Sequence, residues 1–387
     1  MGGVIDERSA RLRLSQLAEP GDERLGAAVE QHGSVGVLER IQRADRSLSG
    51  VEHYRARLTV DADEPTRRLD ELGGRYLVPG DGEWPTQLMA LGPQAPLGLY
   101  VLGAELRVAA ARSVALVGSR AATQYGAMVA SELATDLALR GWTVVSGGAY
   151  GIDAAAHRGS LAAAGPTVAA LAFGVDTVYP RGHTELFARI RADGGALVAE
   201  LPPGATPTKP RFLQRNRVIA ALTRGTVVVE AQARSGALNT AARTRALGRP
   251  VMVVPGPVTS AHSVGCHRLA RADDPARIVT DASEVIEEVG MIGELADRTD
   301  PLMRVRDALD PVSERVLEAM PSEAPVTASE LSKSAGVDVT AVGGILLRLV
   351  ASGLVREHPE GYARVPGAAD VVIPRIPRGS AGSARRS

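Results

Sequence analysis

TVVSGGAYGIDAAAHRG, residues 143–159, decides the fold. Thr143–Gly147 is a short run that is apolar on both faces. It breaks at a loop of small residues, Ser146 to Gly151, and a helix then runs from there to about Ala164. A strand apolar on both sides needs cover on both sides, and a strand that feeds directly into a helix is half of a parallel crossover unit. The same unit repeats in both directions. Upstream stand VALVG (114–118) and a helix at 125–140. Downstream come TVAALAFG (167–174), a helix at 184–192, ALVAEL (196–201), a helix at 211–223, TVVVEA (226–231), a helix at 237–247, and VMVVPG (251–256). The fold expected is α/β: a doubly wound, Rossmann-like parallel sheet.

Such sheets bind ligands beyond the carboxyl ends of their strands. Those ends are small or polar here: Gly118-Ser119-Arg120, Ser146-Gly147-Gly148, Gly174, Glu200 and Glu230. Glycine lets a ligand approach the backbone, and helix N-termini favour anions. The G-x-G-x-x-G fingerprint is absent after the first strand, which argues against a dinucleotide cofactor. Asp153 falls in the first turn of its helix, where an acid favours the helix dipole and repels phosphate, so a structural role is expected. His157 lies one turn on, and a hydrogen-bonded Asp153–His157 pair is expected. Glu230, at a strand end, is placed to orient an arginine.

The most unusual stretch is TPTKPRFLQRNRVIA, residues 206–220. Lys209, Arg211, Arg215 and Arg217 surround Phe212 and the amide of Asn216. Pro207 and Pro210 keep the approach extended, so the helix is expected to start only after Pro210. In isolation this is either a solvated basic helix end or a site for an anionic polymer that carries flat bases. Its position after the fourth strand puts it on the binding rim, facing the glycine loops. Arg211 and Arg215 share a helix face and Arg217 points elsewhere. One arginine is therefore expected to brace the loop, against Glu200 or Glu230. ARSGALNTAARTRALGR (233–249) opens another helix with Ser235 and carries Asn239 one turn in.

Charge supports a central anionic ligand. The chain has 44 Lys+Arg and 44 Asp+Glu among 387 residues, a net charge of zero. Between Arg112 and Pro255, however, 16 cations face 8 acids, a local net of +8 that the flanks must cancel. Lys209 and Lys333 are the only lysines. Aromatic residues make up only 3% of the chain, so stacking must be sparse and sequence preference weak. The single cysteine, Cys266, excludes an intrachain disulfide, and nothing in the sequence suggests a zinc cluster. No catalytic residue, metal or cofactor is expected. The N-terminus lacks an apolar secretory core, and no run approaches the roughly 18 apolar residues of a membrane span, so a cytoplasmic protein is expected.

Residues 1–75 read as a small helical module of the SAM or helix-hairpin kind, broken at Pro20-Gly21 and Gly33. Residues 76–110, rich in Pro and Gly, read as a linker lying on the core through Trp84, Leu88, Leu97, Leu99 and Tyr100. The Rossmann-like domain occupies 111–290, a polar linker 291–310, a winged-helix domain 311–366, and a flexible basic tail 367–387. Thr327 and Glu330 form a capping box in the winged-helix region. Its third helix, 338–352, has Arg348 as its only cation, which favours packing or protein contact over reading a DNA groove.

Taken together, VALVGSR, VVSGGAYGIDAAAHRG, GVDTVYPRGH, ALVAELPPG, the Lys209–Phe212–RNR stretch, VVVEA…SGALNTA and GRPVMVVPG resemble the DNA processing protein A (DprA/Smf) family, densely over residues 110–260. The resemblance implies a protein that protects incoming single-stranded DNA, loads a RecA-type recombinase onto it during natural transformation, and dimerises through the Rossmann domain. It implies a single-strand site at Arg120 with Gly118 and Ser119, at the Ser146–Gly151 loop, at Lys209 and Phe212, and at Arg215, Asn216 and Arg217. Many members carry a cation where Tyr150 stands, so a stacking ring replaces one phosphate contact. The segment Gly265–Ile278 is longer and more acidic than usual for the family. Two other readings compete: a phosphoribohydrolase-like nucleotide-processing enzyme, whose PGG-x-GT-x-x-E loop has no counterpart in EAQARSGALNT, and a winged-helix transcription regulator.

Overall fold

The computed structural model describes residues 5–58, 63–291, 302–304, 309–321, 324–365 and 372–374. Two compact units divide the chain, residues 1–291 and 292–387.

The first unit opens with α1 (Glu7–Leu17), α2 (Glu23–Gln42) and α3 (Val51–Arg55). Leu14, Leu17, Leu25, Val37, Leu38 and Ile41 recur at helical spacing and close a small core of their own. The Asp22 carboxylate accepts from the N–H groups of Arg24 and Leu25 and caps α2, so the chain reverses at Pro20-Gly21 as expected. Gly33, at φ 70° and ψ 160°, kinks α2 where the sequence predicts a break. Next come α4 (Glu64–Glu71), β1 (Arg75–Leu77), β2 (Leu99–Gly103) and α5 (Leu106–Ala111).

The alternating region supplies β3 (Ser113–Val117), α6 (Gln124–Leu139), β4 (Thr143–Ser146), α7 (Ile152–Ala162), β5 (Thr167–Leu171), α8 (Thr184–Ala192) and β6 (Ala196–Ala199). It continues with α9 (Lys209–Leu222), β7 (Thr226–Val228), α10 (Gly236–Ala246), β8 (Val251–Val253), α11 (Val264–Ala270), β9 (Arg277–Ile278) and α12 (Ala282–Val289). The sheet order is β1-β2-β6-β5-β4-β3-β7-β8-β9. From β6 to β9 every pairing is parallel; β2 joins β6, and β1 joins β2, antiparallel. Successive strand residues supply opposite faces. Val114 and Leu116 pack under α6 and α12, while Ala115 and Val117 pack under α9 and α10. Winding starts at β3 and runs outward both ways, so the topological switch lies between β3 and β7.

Three expectations need correcting. Residues 76–110 are not a linker. They carry β2, and with Arg75–Leu77 they add an antiparallel edge that buries Trp84, Leu88, Leu99 and Tyr100. Pro85, Pro93 and Pro96 all fall between the two strands, where no ladder N–H is needed. The fourth helix begins at Lys209, before Pro210, because proline is tolerated in the first turn, where the N–H has no intrahelical partner anyway. Asp153 and His157 do not pair. Asp153 accepts the Ala149 N–H at 3.2 Å, and His157 Nδ1 lies 2.8 Å from the Thr167 hydroxyl. That hydroxyl donates to the Val144 carbonyl, so the imidazole must be its donor, with the proton on Nδ1. The segment Gly265–Ile278 forms α11 and the edge strand β9. It also closes on the end of β7, where the Gly265 N–H donates to the Ala231 carbonyl.

The second unit contains β10 (Leu302–Arg304), α13 (Pro311–Glu318), α14 (Ala328–Ala335), α15 (Val339–Ala351), the hairpin β11 (Val355–His358) and β12 (Gly361–Arg364), and β13 (Val372–Pro374). The Thr327–Glu330 capping box forms as expected. β10 and β13 pair antiparallel, so both the expected linker and the expected tail contribute a strand; the rest of the tail lies outside the described residues. α15 buries Val342, Ile345, Leu346 and Leu349 and exposes Val339 and Leu347. No single helix among the described residues is long and apolar enough to cross a membrane.

Burial pushes His157 down from its ordinary 6.5 to about 3. Between these values the unfolded chain holds a proton that the folded chain does not, so stability rises with pH across that window and is lost as the pH falls. Denaturant unfolding of wild type should lose up to about 1.4 kcal/mol per pH unit on this account below pH 6.5. His157→Gln should flatten that slope by one proton, which urea titrations between pH 7.5 and 4.5 would measure.

Candidate nucleic-acid interface

A cleft of about 740 Å³ opens at the topological switch. Its floor is the end of β3, Val117 to Ala121, and the first turn of α10 with Ser235, Gly236 and Thr240. One wall is α9 and its approach: Pro207, Thr208, Lys209, Phe212, Leu213, Arg215 and Asn216. Tyr179, Ala149 and Asp153 close the side. The amino end of α9 has no side-chain cap, so its free N–H groups add positive potential beside Lys209.

The expected residues divide into those that face the cleft and those that shape it. Gly118, Ser119, Arg120, Lys209, Phe212, Asn216 and Ser235 line it. Arg120 is exposed and lies over the Phe212 ring, 4.5 Å from its centroid, a cation–π arrangement that orients both groups. Lys209 is exposed, and neither it nor Arg120 has an ion-pair partner among the described residues. Asn216 donates to the carbonyl of Gly236 and to the side chain of Asn239, both at 3.3 Å, so Asn239 acts through Asn216. The Ser235 hydroxyl caps α10.

Arg215 lines the cleft but is committed beneath it. Its guanidinium donates to the carbonyls of Gly147, at 2.6 Å, and Ala170. Burial lowers its pKa to about 10, with the Asp153 carboxylate pulling the other way. A Cβ at Gly147 would stand 2.5 Å from its Nη atoms, which is why glycine is required there. Ser146, Gly147, Gly148 and Gly151 do not line the cleft. Ser146 donates to the Leu116 carbonyl at 2.6 Å, and the Gly148 carbonyl lies 3.0 Å from His183 Nδ1. Gly148 and Gly151 take φ of 70° and 76°, which lets the loop curl over α7. Tyr150 is 51% exposed but sits outside the cleft, edge-on to His183 at 4.7 Å.

Arg211 and Arg217 are not in the cleft either. Arg211 makes a bidentate pair with Glu19 of the N-terminal module, at 2.8 and 2.9 Å, and donates to the Thr206 carbonyl. Arg217 is fully buried and pairs with Glu200. Of the two acids weighed as a brace, it is Glu200 that holds an arginine. Glu230 holds none: it accepts from the N–H and hydroxyl of Thr123 and anchors the start of α6.

Sequence reading missed Tyr179. Its ring stands 5.9 Å from Phe212 and 6.0 Å from Phe173, so the cleft has two aromatic rings, Tyr179 exposed and Phe212 half-buried. The signal was present as Tyr179-Pro180 in a loop between β5 and α8, but nothing local says that the loop folds over the switch point. Gln232 and Leu213 were missed for the same reason.

The buried Arg217–Glu200 pair makes a clear stability prediction. Arg217→Ala should cost about 3–5 kcal/mol in urea unfolding, because it strands a buried carboxylate. The double variant Arg217→Met/Glu200→Leu should cost far less.

Residues 75–290 match the family described as DNA recombination-mediator protein A. A DNA processing protein DprA of Mycobacterium tuberculosis (strain ATCC 25618 / H37Rv) is 45% identical over 364 residues, 91% of this chain and 92% of that one. Protein Smf of Escherichia coli (strain K12) is 36% identical over 306 residues, 78% of this chain and 80% of that one. The crystal structure of DNA processing protein A from Streptococcus pneumoniae superposes with a TM-score of 0.61 at 30% identity, covering 73% of this chain and 96% of that one. A continuous match through the sheet, the glycine loop and α9 means that the chain belongs to the DNA recombination-mediator protein A (DprA/Smf) family.

Proposed function

We propose that the cleft binds single-stranded DNA, and that the protein protects such strands and delivers them to a RecA-type recombinase. The observation that carries the reading is the juxtaposition of Arg120, Lys209, Phe212 and Tyr179 around one open cleft at the switch point. Two cations without acidic partners suit phosphates. The exposed ring of Tyr179, beside the half-buried Phe212 under Arg120, suits unpaired bases, each stack being worth roughly 1–3 kcal/mol. A duplex hides its base faces inside its stack, so the rings favour single strands. Asn216 spends its amide on Gly236, Asn239 and Arg215, and so shapes the cleft wall.

Binding is electrostatic capture followed by stacking. The basic middle of the chain attracts the strand, Arg120 and Lys209 hold successive phosphates, and bases settle against Phe212 and Tyr179. Arg215 takes no phosphate; it holds the backbone that forms the wall. One cleft covers only a few nucleotides, so a homodimer through the Rossmann-like domain extends the track. In this reading the C-terminal unit is a winged helix used for protein contact. The apolar exposed face of α15, with Val339 and Leu347, supports that over groove reading. The pathway served is DNA uptake and recombination in the cytoplasm.

Titration of the full chain with labelled single strands and duplexes of equal length, at several salt concentrations, tests the reading. Single strands should bind more tightly, with log K falling linearly against log salt; equal affinity for both would refute it. Arg120→Ala or Lys209→Ala should weaken binding to all sequences alike and reduce the salt slope by about 0.7 each. Tyr179→Ala should cost roughly 1–3 kcal/mol and leave the slope unchanged.

A further inference from the structure

The turn between α1 and α2, Ala18 to Asp22, presses on α9. Gly21, at φ 73°, stands where a Cβ would lie 2.6 Å from Arg217 Nε, so the turn backs directly onto the buried arginine. A cavity of about 30 Å³ remains between the turn and the core, bounded by Glu19, Pro20, Gly21 and Glu200. The polar contact across this seam is Glu19 with Arg211. Nε and Nη2 of Arg211 donate to the two carboxylate oxygens of Glu19, and Nη1 donates to the Thr206 carbonyl, so every nitrogen of the guanidinium is engaged.

The placement is unexpected for a cation of this helix. Arg211 shares the first turn of α9 with Lys209 and Phe212, both of which line the cleft. Its side chain is 19% exposed and that of Glu19 52%, so the pair sits at the surface within reach of solvent and of a passing phosphate. A bidentate arginine–carboxylate pair has the same fork geometry as an arginine–phosphate pair, so a strand leaving the cleft and Glu19 compete for one guanidinium. Paired with Glu19, Arg211 adds no net charge to the rim; unpaired, it adds a full positive charge one residue from the cleft wall.

We propose that the N-terminal module is an electrostatic latch on the nucleic-acid cleft: Glu19 withholds Arg211 from the strand and so sets the charge, and therefore the affinity, of the site. This rests on the single-strand reading of the cleft. Glu19 is an affinity-setting residue that touches no nucleic acid. Any partner that draws the Ala18–Asp22 turn away from α9 strengthens binding by releasing one cation.

The test uses the full chain and an oligothymidylate, titrated at four or more salt concentrations. Glu19→Gln keeps the shape of the side chain and removes its charge. It should bind roughly two- to fivefold more tightly, as expected for freeing one partly exposed cation from an ion pair. Its log K against log salt should steepen by about 0.7. The double variant Glu19→Gln/Arg211→Gln should lose both the gain and the extra slope. The charge swap Glu19→Arg/Arg211→Glu should restore a slope close to wild type, and a thermal melt of each variant checks the fold. Weaker binding by folded Glu19→Gln, or an unchanged slope, would show a strut and overturn the latch. Failure of wild type to bind in the same titration would instead overturn the single-strand reading itself.

Discussion

The guanidinium of Arg215 is the interaction on which the site depends. It is buried under the cleft, with its donors on the carbonyls of Gly147 and Ala170, and the Asp153 carboxylate lies near enough to support its charge. Two adjacent strands, β4 and β5, end at those carbonyls, and α9 carries the arginine. One side chain therefore fixes the glycine loop, the end of the sheet and the helix that presents Lys209 and Phe212. Without it, two carbonyls and a carboxylate would be left buried and poorly partnered, each at a cost of a kcal/mol or more. Burial has pushed the Asp153 carboxyl above its ordinary range, with Arg215 as the main counterweight, so the arginine and the acid stand or fall together.

This arrangement explains how a neutral chain builds a cationic site. Of the five cations of the GSR turn and of α9, three are spent on structure: Arg215 on backbone, Arg217 on Glu200, and Arg211 on Glu19. Two, Arg120 and Lys209, keep their charge toward the opening. Arg120 lies on Phe212, so one contact orients both the cation and the ring. The uncapped amino end of α9 contributes free N–H groups at the same rim. Much of the positive charge that composition suggests as a binding surface is thus internal scaffolding.

Much of this was legible in the sequence, for physical reasons that differ from part to part. The parallel sheet was readable because Val114 to Val117, Val144-Val145 and Val168 to Leu171 are apolar on both faces, which only a doubly covered strand needs. The break at Gly33 and the Thr327–Glu330 cap were readable because each is local, and the bracing of one arginine by either Glu200 or Glu230 because it follows from a helix face. The antiparallel edge at 75–77 and 99–103 was hidden because its two strands are short and separated by a Pro-rich span that looks like a linker. The parting of Asp153 from His157 was hidden because the better partners, the Ala149 N–H and Thr167, come from a loop and a neighbouring strand. Tyr179 and the Glu19–Arg211 pair were invisible because they join elements far apart in the chain, and no local pattern encodes such a meeting.

The most direct measurement of the central claim is photo-crosslinking of the full chain to a 5-iodouracil-substituted single strand, with the modified peptides read by mass spectrometry. Adducts should concentrate on Phe212 and Tyr179, the two rings of the cleft at the switch between β3 and β7. Adducts confined to the C-terminal unit, or to the far side of the sheet around Trp142, would contradict the account.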